Sequence, residues 1–330
     1  MEEGFRLWAN PSSPHAEGRK ARALLEDARE RIKLALGWEG ELIFTSGASE
    51  ALAIALQRAR VDRRIVSAVE HDAVFRAAPD AEIVPVGADG FVDRDKLAHA
   101  LAQGAAVCAI QHMNSETGTM QNFEDLRHVL GPSGSLSLAD CSQSALGYRL
   151  PDADMIVVSG HKMGGPIGVG ALLVGDFAML DPTGGHERGY RQGTENLPGA
   201  LGMAAALEAS RKPDGWTSVE VNDAFDDLRR AICEHGGTLI APGGWAAHSI
   251  SAGAHPMISA QAMLIRLDAM GFAVSAGSAC SSGTLKKSRA LDAFGVDDLT
   301  ASRTIRLSIG WTTTTDDIER FATAWRRLPA

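Results

Sequence analysis

The feature that most restricts the fold is a recurrence: short, nearly all-apolar runs that each stop on a chemically loaded residue. Glu41-Leu42-Ile43-Phe44 leads into Thr45-Ser46-Gly47-Ala48-Ser49-Glu50, and Arg64 to Val69 runs into Glu70-His71. Ala105 to Gln111 runs into His112-Met113-Asn114-Ser115-Glu116; two further runs end on Asp140 and on Ser159-Gly160-His161-Lys162. Short runs without polar alternation suit strands covered on both faces, as in a parallel sheet. Their alternation with helical stretches such as Phe123 to Val129, as far as about Val174, is the signature of repeated βαβ units. In such sheets ligands bind beyond the carboxyl ends of the strands, so the polar clusters stand where chemistry is done.

Other segments frame this core. A helix is predicted from about Ala16 to Leu36, with Leu24, Leu25, Ala28, Ile32, Ala35 and Leu36 on one face and Gly37 as its stop. The Gly-rich stretch Gly184 to Asn196 reads as a loop, followed by an Ala-rich helix from Gly199 to Ser210. Arg211-Lys212-Pro213-Asp214-Gly215 reads as a boundary, which divides the chain into a large α/β domain at 1–212 and a smaller α+β domain at 213–330. The smaller part is predicted to hold helices near Val219 to His235, Ala260 to Met270 and Asp316 to Arg327, with strands near Thr238 to Ile240 and Thr304 to Ile309.

Composition excludes several roles. The chain has 330 residues, 45% hydrophobic and 22% charged, with a formal net charge of −9 and no Lys/Arg block. Neither nucleic acid nor an anionic membrane is expected as partner, since both need a basic footprint. No apolar run approaches the ~20 residues of a membrane span, and the first residues lack the basic start and apolar core of a signal peptide; the expected compartment is the cytoplasm. Four scattered cysteines, Cys108, Cys141, Cys233 and Cys280, show no CxxC spacing and supply neither a metal site nor a disulfide framework. Cys108 and Cys233 lie in apolar segments and read as inert core thiols. Cys280 differs, because Ser275 to Gly283 is a small-residue stretch followed by Lys286 and Lys287, the setting of an exposed and reactive thiolate.

The small residues from Ser46 to Ser49 ahead of the helical run Ala51 to Gln57 make a phosphate cradle, because free amides and the helix dipole both favour an anion there. The Gly164 to Gly170 run is not a nucleotide-binding P-loop, since Lys162 precedes the glycines; tight packing is its expected role.

Together these motifs resemble the cysteine desulfurases, pyridoxal-phosphate enzymes of the class V aminotransferase group. The resemblance extends along nearly the whole chain: Asn10 to His15, Phe44 to Glu50, Glu70-His71, Asn114 to Gly118, Asp140 to Ser144, Ser159 to Pro166, Glu187 to Asn196, Ser275 to Gly283 and Ile305 to Ser308. It implies the type I fold of pyridoxal-phosphate transferases, with a mainly parallel seven-stranded sheet in the large domain and a smaller α+β C-terminal domain. It also implies pyridoxal 5'-phosphate as cofactor. Lys162 would bond its aldehyde, Asp140 would pair with the ring nitrogen, His71 would stack on the ring and move protons, and Gln143 would bond the phenolic oxygen. Ala48, Ser49, Ser159 and His161 would hold the phosphate, and Thr194 would reach the phosphate in the neighbouring subunit of a homodimer. Arg306 would clamp the carboxylate of the substrate, L-cysteine, with its planar fork. Cys280 would take the substrate sulfur as a persulfide, release L-alanine and pass the sulfur to an acceptor protein; whether that acceptor serves iron–sulfur cluster assembly or another pathway stays open.

Three positions depart from the family pattern. Only nine residues precede Asn10, so part of the substrate entrance is expected to be missing; the second asparagine of the family's Asn-Asn-Glu-x-Gly motif, a cofactor contact, is Ser115; and the arginine after Ser-Leu-Gly is Trp311. Two rival readings follow. An aminotransferase or a selenocysteine or cystine lyase would use the same cofactor site without Cys280, and a non-catalytic scaffold would keep the fold only to bind a sulfur-acceptor protein.

Overall fold

The computed structural model describes residues 1–211, 217–241, 247–276 and 288–329. After a short helix α1 (Glu2–Arg6) and the long α2 (Ala16–Leu36) come β1 (Glu41–Thr45), α3 (Ala48–Arg58), β2 (Arg63–Ser67), α4 (Asp72–Ala77) and β3 (Glu82–Val84). Next are α5 (Arg94–Leu101), β4 (Ala106–Gln111), α6 (Phe123–Leu130), β5 (Leu136–Asp140), β6 (Met155–Ser159), β7 (Gly170–Val174) and α7 (Leu197–Ser210). The C-terminal part holds α8 (Val219–Glu234), β8 (Thr238–Leu239), β9 (Ile250–Ala254), α9 (Ala260–Ala269), β10 (Ser275–Ala276), α10 (Arg289–Ala293), α11 (Asp298–Ser302), β11 (Thr304–Ser308) and α12 (Thr315–Arg326).

The large sheet has seven strands in the order β1-β7-β6-β5-β4-β2-β3. Strands β6, β5, β4, β2 and β3 run parallel, while β7 is antiparallel to both β6 and β1. The apolar runs therefore are buried on both faces, and successive residues feed two separate cores. Ile156 and Val158 of β6 join the core under α2 and α7, whereas Met155 and Val157 join the core under α3 and α4.

Helix α2 shows why the pattern is readable. His15 caps it by accepting the Gly18 amide, and Gly37, left-handed at φ 66°, ends it. Ala21, Leu25, Ala28, Ile32 and Leu36 form its buried stripe, with Leu24 and Ala35 half-buried beside them. Helix α1, which the sequence pattern did not announce, lays Gly4 against Pro198 at the head of α7.

A second sheet, β10-β11-β9-β8, lies in the C-terminal part and is antiparallel throughout. Helices α8 and α12 cover it with Phe225, Leu228, Ile232, Phe321 and Trp325. Small apolar clusters join the two parts: Val69 with Ala252, Leu291 and Phe294, and Met113 and Met120 with Ile250. The boundary read at residues 212 and 213 falls at the edge of a segment outside the described residues.

Candidate active site

Strand register places the polar clusters along one edge of the large sheet. Thr45 lies opposite Gly170, Gly170 opposite Ser159, Asp140 opposite Val157, and Gln111 opposite Asp140. Asp140 thus ends β5 two residues short of the level of Ser159, roughly 7 Å along the strand direction. Its backbone carbonyl accepts the His112 amide at 2.9 Å and its Oδ1 accepts the Ser142 amide at 2.9 Å. The first bond fixes the strand end and the second orients the carboxyl of this buried residue. Gln143 lies in the turn that follows, half-buried.

Ser159, His161 and Lys162 share a single 3-10 turn after β6, with His161 and Lys162 open to solvent. Ser159 Oγ and His161 Nδ1 share a 3.0 Å hydrogen bond. Burial first, and the neighbouring Lys162 charge second, hold the His161 imidazole below the usual histidine range. The glycine run after Lys162 packs tightly only in part: Gly164, Ile167 and Gly168 are exposed, whereas an added Cβ at Gly165 would sit 2.9 Å from the Gly160 carbonyl oxygen and one at Gly170 2.8 Å from the Gly47 Cα.

That close approach shapes the anion cradle. Gly47 precedes α3 with φ 152° and ψ −178°, a conformation open to glycine, and gives the helix no side-chain cap. Helices α2, α5, α6, α7, α8, α9 and α12 all have side-chain caps. The first amides of α3, at Ala48 and Ser49, are therefore left for an anion of about phosphate size. Glu50, at the third helical position, turns back to accept the Ser46 amide at 2.5 Å and also takes the Arg191 guanidinium at 3.0 Å. Glu50 thereby ties the cradle to the loop that carries the exposed Thr194.

His71 caps α4, its Nδ1 accepting the Ala73 amide at 3.1 Å. In the neutral ring the proton then sits on Nε2, the atom able to exchange it. Just before it, Glu70 Oε1 accepts from Ser67 Oγ at 2.5 Å and from the Gln111 amide at 2.7 Å, joining the ends of β2 and β4.

Arg306 comes from the other sheet. On β11, opposite Ser275, it donates Nη1 to the Ser115 carbonyl at 3.2 Å and Nη2 to Ser275 Oγ at 3.3 Å. Its Nε is buried without a hydrogen-bond partner among the described residues. Glu116 lies in the field of both Arg306 and His71; burial raises its carboxyl above the usual range, against the opposing pull of a Ser288 hydrogen bond and those two charges. Ser115 thus serves Arg306 through its carbonyl. Trp311 lies against the loop after Lys162, its Nε1 3.1 Å from where a Cβ on Gly164 would stand.

Cys280 lies outside the described residues. The other thiols divide. Cys108 and Cys141 are buried, and burial pushes the Cys108 thiol up to about 12 and the Cys141 thiol higher still, so neither supplies a thiolate. Cys233, read from its apolar segment as a core residue, is instead exposed: Phe225, Leu228, Ala231 and Ile232 define the buried face of α8 and Cys233 falls off it. Sequence reasoning also missed Glu50 and the bridging role of Glu70. The first had a signal, a glutamate three residues into a helix behind a glycine cap.

The residues present fit pyridoxal phosphate: an uncapped helix start, an oriented carboxyl at a strand end and a lysine one turn beyond the next strand. Comparison with known proteins identifies the family. Residues 3–321 match the family described as Aminotransferase class-V. The "Cysteine desulfurase IscS 1" of Archaeoglobus fulgidus is 30% identical, over 97% of this chain and 88% of its own. A "Cysteine desulfurase" of Gluconacetobacter diazotrophicus is 33% identical, over 95% of this chain and 84% of its own. Among solved structures, a NifS-like protein from Rickettsia africae superposes with a TM-score of 0.88 at 25% identity, covering 98% of this chain and 92% of that one.

Proposed function

Because this chain belongs to the class V aminotransferase family and, within it, to the cysteine desulfurases, we propose that it converts L-cysteine to L-alanine through a persulfide on Cys280. The cofactor that fits is pyridoxal phosphate, which when bound supplies an electron sink for the pair released at the substrate α-carbon. Lys162 would hold its aldehyde, and its amine would take the α-proton of the substrate. Asp140 holds the ring nitrogen protonated, with its orientation set by the Ser142 amide. The Ala48 and Ser49 amides, with Ser159 and His161, would bind the phosphate; Gln143 would bond the phenolic oxygen, Ser115 would take the place of the family's cofactor-contacting asparagine, and His71 would move protons through Nε2. Arg306 orients the substrate by its carboxylate, its guanidinium held in place by the Ser115 carbonyl and Ser275 Oγ.

The sulfur step balances without any external oxidant. The Cys280 thiolate attacks the substrate sulfur, the C–S bond breaks as the S–S bond forms, and the carbon fragment gains a proton as alanine. The persulfide sulfur then passes to an acceptor protein. We further propose a homodimer, in which Thr194 completes the neighbouring phosphate site, and a cytoplasmic location; among the described residues no helix is long and apolar enough to cross a membrane.

The observation that carries this reading is the register that sets Asp140 and Ser159, and with them Lys162, on one sheet edge beside the uncapped start of α3. The test is an absorption spectrum with and without L-cysteine, coupled to alanine and persulfide assays, on the native protein and on Lys162→Ala and Cys280→Ala. Lys162→Ala should lose the cofactor band that the native protein shows. Cys280→Ala should keep that band and lose persulfide formation. Sulfide release undiminished in Cys280→Ala would point instead to a lyase on the same site, and a native protein that takes up no pyridoxal phosphate would point to a scaffold.

A further inference from the structure

The carboxyl of Glu70 lies deep at the sheet edge, 5% exposed, and its two oxygens have unequal surroundings. Oε1 accepts two hydrogen bonds, from Ser67 Oγ at 2.5 Å and from the Gln111 amide at 2.7 Å. Oε2 is buried and has no hydrogen-bond partner among the described residues. An ionised carboxylate shares its charge over both oxygens, and burying one of them without a donor costs far more than burying a neutral hydroxyl without an acceptor. The Asp140 charge acts in the same direction, while the two hydrogen bonds donated to Oε1 pull the other way, toward the anion. Ser67 on β2 and the Gln111 amide on β4 are neutral donors, His71 follows Glu70 at the head of α4, and the charge of Asp140 on β5, opposite Gln111, opposes a second negative charge nearby.

We propose that Glu70 is a positioning residue that is held as a neutral carboxylic acid with its proton on Oε2, so that Asp140 stands as the lone anion of the pair facing the cofactor ring. This rests on the pyridoxal-phosphate reading of the site. The neutral acid has two uses there. It braces β2 against β4, which sets the backbone that presents His71. It also leaves the electrostatic pairing with a protonated ring nitrogen to Asp140 alone, as two neighbouring carboxyls whose environments separate their ionisation can do. Burial, against the opposing Ser67 and Gln111 hydrogen bonds and with a smaller push from the Asp140 charge, raises the Glu70 carboxyl to about 8, in agreement with the buried, partnerless Oε2.

Glu70→Gln keeps the shape and stays neutral at every pH, so it mimics the proposed state. In urea denaturation of the cofactor-free protein, the native midpoint should fall relative to that of Glu70→Gln as pH rises from about 5 to about 8. The unfolded chain gives up the proton near the ordinary glutamate value, whereas the folded one holds it; above about 8 the gap should level off. In an Asp140→Asn background the levelling should move to lower pH, because the opposing charge is gone. At pH 7 Glu70→Gln should bind pyridoxal phosphate within about twofold of the native protein, while Glu70→Ala, which drops both bridging bonds, should bind at least about tenfold more weakly. Parallel native and Glu70→Gln profiles, or a Glu70→Gln protein as weak as Glu70→Ala, would overturn the proposal. Should Glu70→Gln fail to fold, an NMR titration of the native glutamate carboxyl carbons decides it: one carboxyl should titrate near 8, and its absence refutes the idea. Native protein that shows the stability profile yet binds no pyridoxal phosphate would instead refute the cofactor reading.

Discussion

Arg29 and Glu187 stand 158 residues apart in the chain and meet as a bidentate ion pair, Nη1 to Oε2 at 2.8 Å and Nη2 to Oε1 at 3.1 Å. Both side chains are out of solvent. Arg29 also donates to the Leu42 carbonyl, and Glu187 Oε2 accepts the Phe44 amide at 2.8 Å, so the pair is fastened to β1 just ahead of the anion cradle. Glu187 and Arg188 have φ values of 47° and 55°, positions that side-chain-bearing residues seldom occupy in succession. The ion pair holds that conformation, and with it the start of the loop that leads to Thr194.

Removing Arg29 leaves Glu187 buried without its counter-charge, and removing Glu187 leaves the buried Arg29 only the Glu26 carboxylate, at 3.1 Å from its Nε. Glu187→Ala or Arg29→Ala should therefore lower stability by about 3–5 kcal/mol. Urea unfolding of the cofactor-free variants measures this. A loss within the few tenths of a kcal/mol typical of exposed ion pairs would show that the pair is not load-sharing in solution.

The catalytic candidates were readable for a physical reason that does not extend to this pair. A parallel strand buried on both faces tolerates few polar residues, so Asp140 and Ser159 to Lys162 stand out where β5 and β6 stop. The span and stop of α2 were equally plain, because its apolar spacing and Gly37 carry local rules. Arg29, by contrast, sits among the charges of an amphipathic helix and looks like any solvated arginine until the fold brings Glu187 to it. The α8 thiol failed the other way: Cys233 follows apolar neighbours in sequence, yet 3.6-residue periodicity turns it outward. Long-range pairing is not written in a short window; helix phase is, and the spacing of Phe225, Leu228 and Ile232 already turns Cys233 off the buried face.

Gly170 tests the cradle directly. A methyl there would stand 2.8 Å from both the Gly47 Cα and the Val158 carbonyl oxygen, closer than packed atoms allow. Backbone must shift, at a cost of about 1–3 kcal/mol as for other overpacked positions. Part of the shift falls on Gly47, so Gly170→Ala should weaken pyridoxal phosphate binding beyond its effect on the fold. Equilibrium dialysis set against the thermal midpoint of the cofactor-free protein separates the two effects; cofactor affinity equal to native would show that the cradle does not depend on this contact.

His112 predicts an acid-side loss of stability. It is buried, with Nδ1 2.9 Å from Ser144 Oγ and its ring edge-on to Phe123, and burial pulls its imidazole down from 6.5 to about 4. The unfolded chain takes up a proton below 6.5 while the folded one does not, so this contribution is full above 6.5 and is lost as pH falls toward 4. The total is about 3 kcal/mol. His112→Gln, which has no such proton, should flatten the urea-midpoint profile across that window relative to the native protein; an unchanged slope would assign the acid sensitivity to other groups.

Arg306 separates substrate binding from cofactor binding. Its two terminal nitrogens are held by the Ser115 carbonyl and Ser275 Oγ, so the fork is oriented before any ligand arrives. A lysine keeps the charge but loses both the orientation and the second donor. Each charged hydrogen bond lost is worth about 1.5–3 kcal/mol, so Arg306→Lys should raise KM for L-cysteine by roughly tenfold to a hundredfold. Because Arg306 is assigned to the substrate carboxylate and not to the cofactor, pyridoxal phosphate should bind this variant as it binds the native protein. Steady-state kinetics with a cofactor titration makes the distinction: a KM near native would remove Arg306 from the substrate site, and a matching loss of cofactor would move its role to the ring.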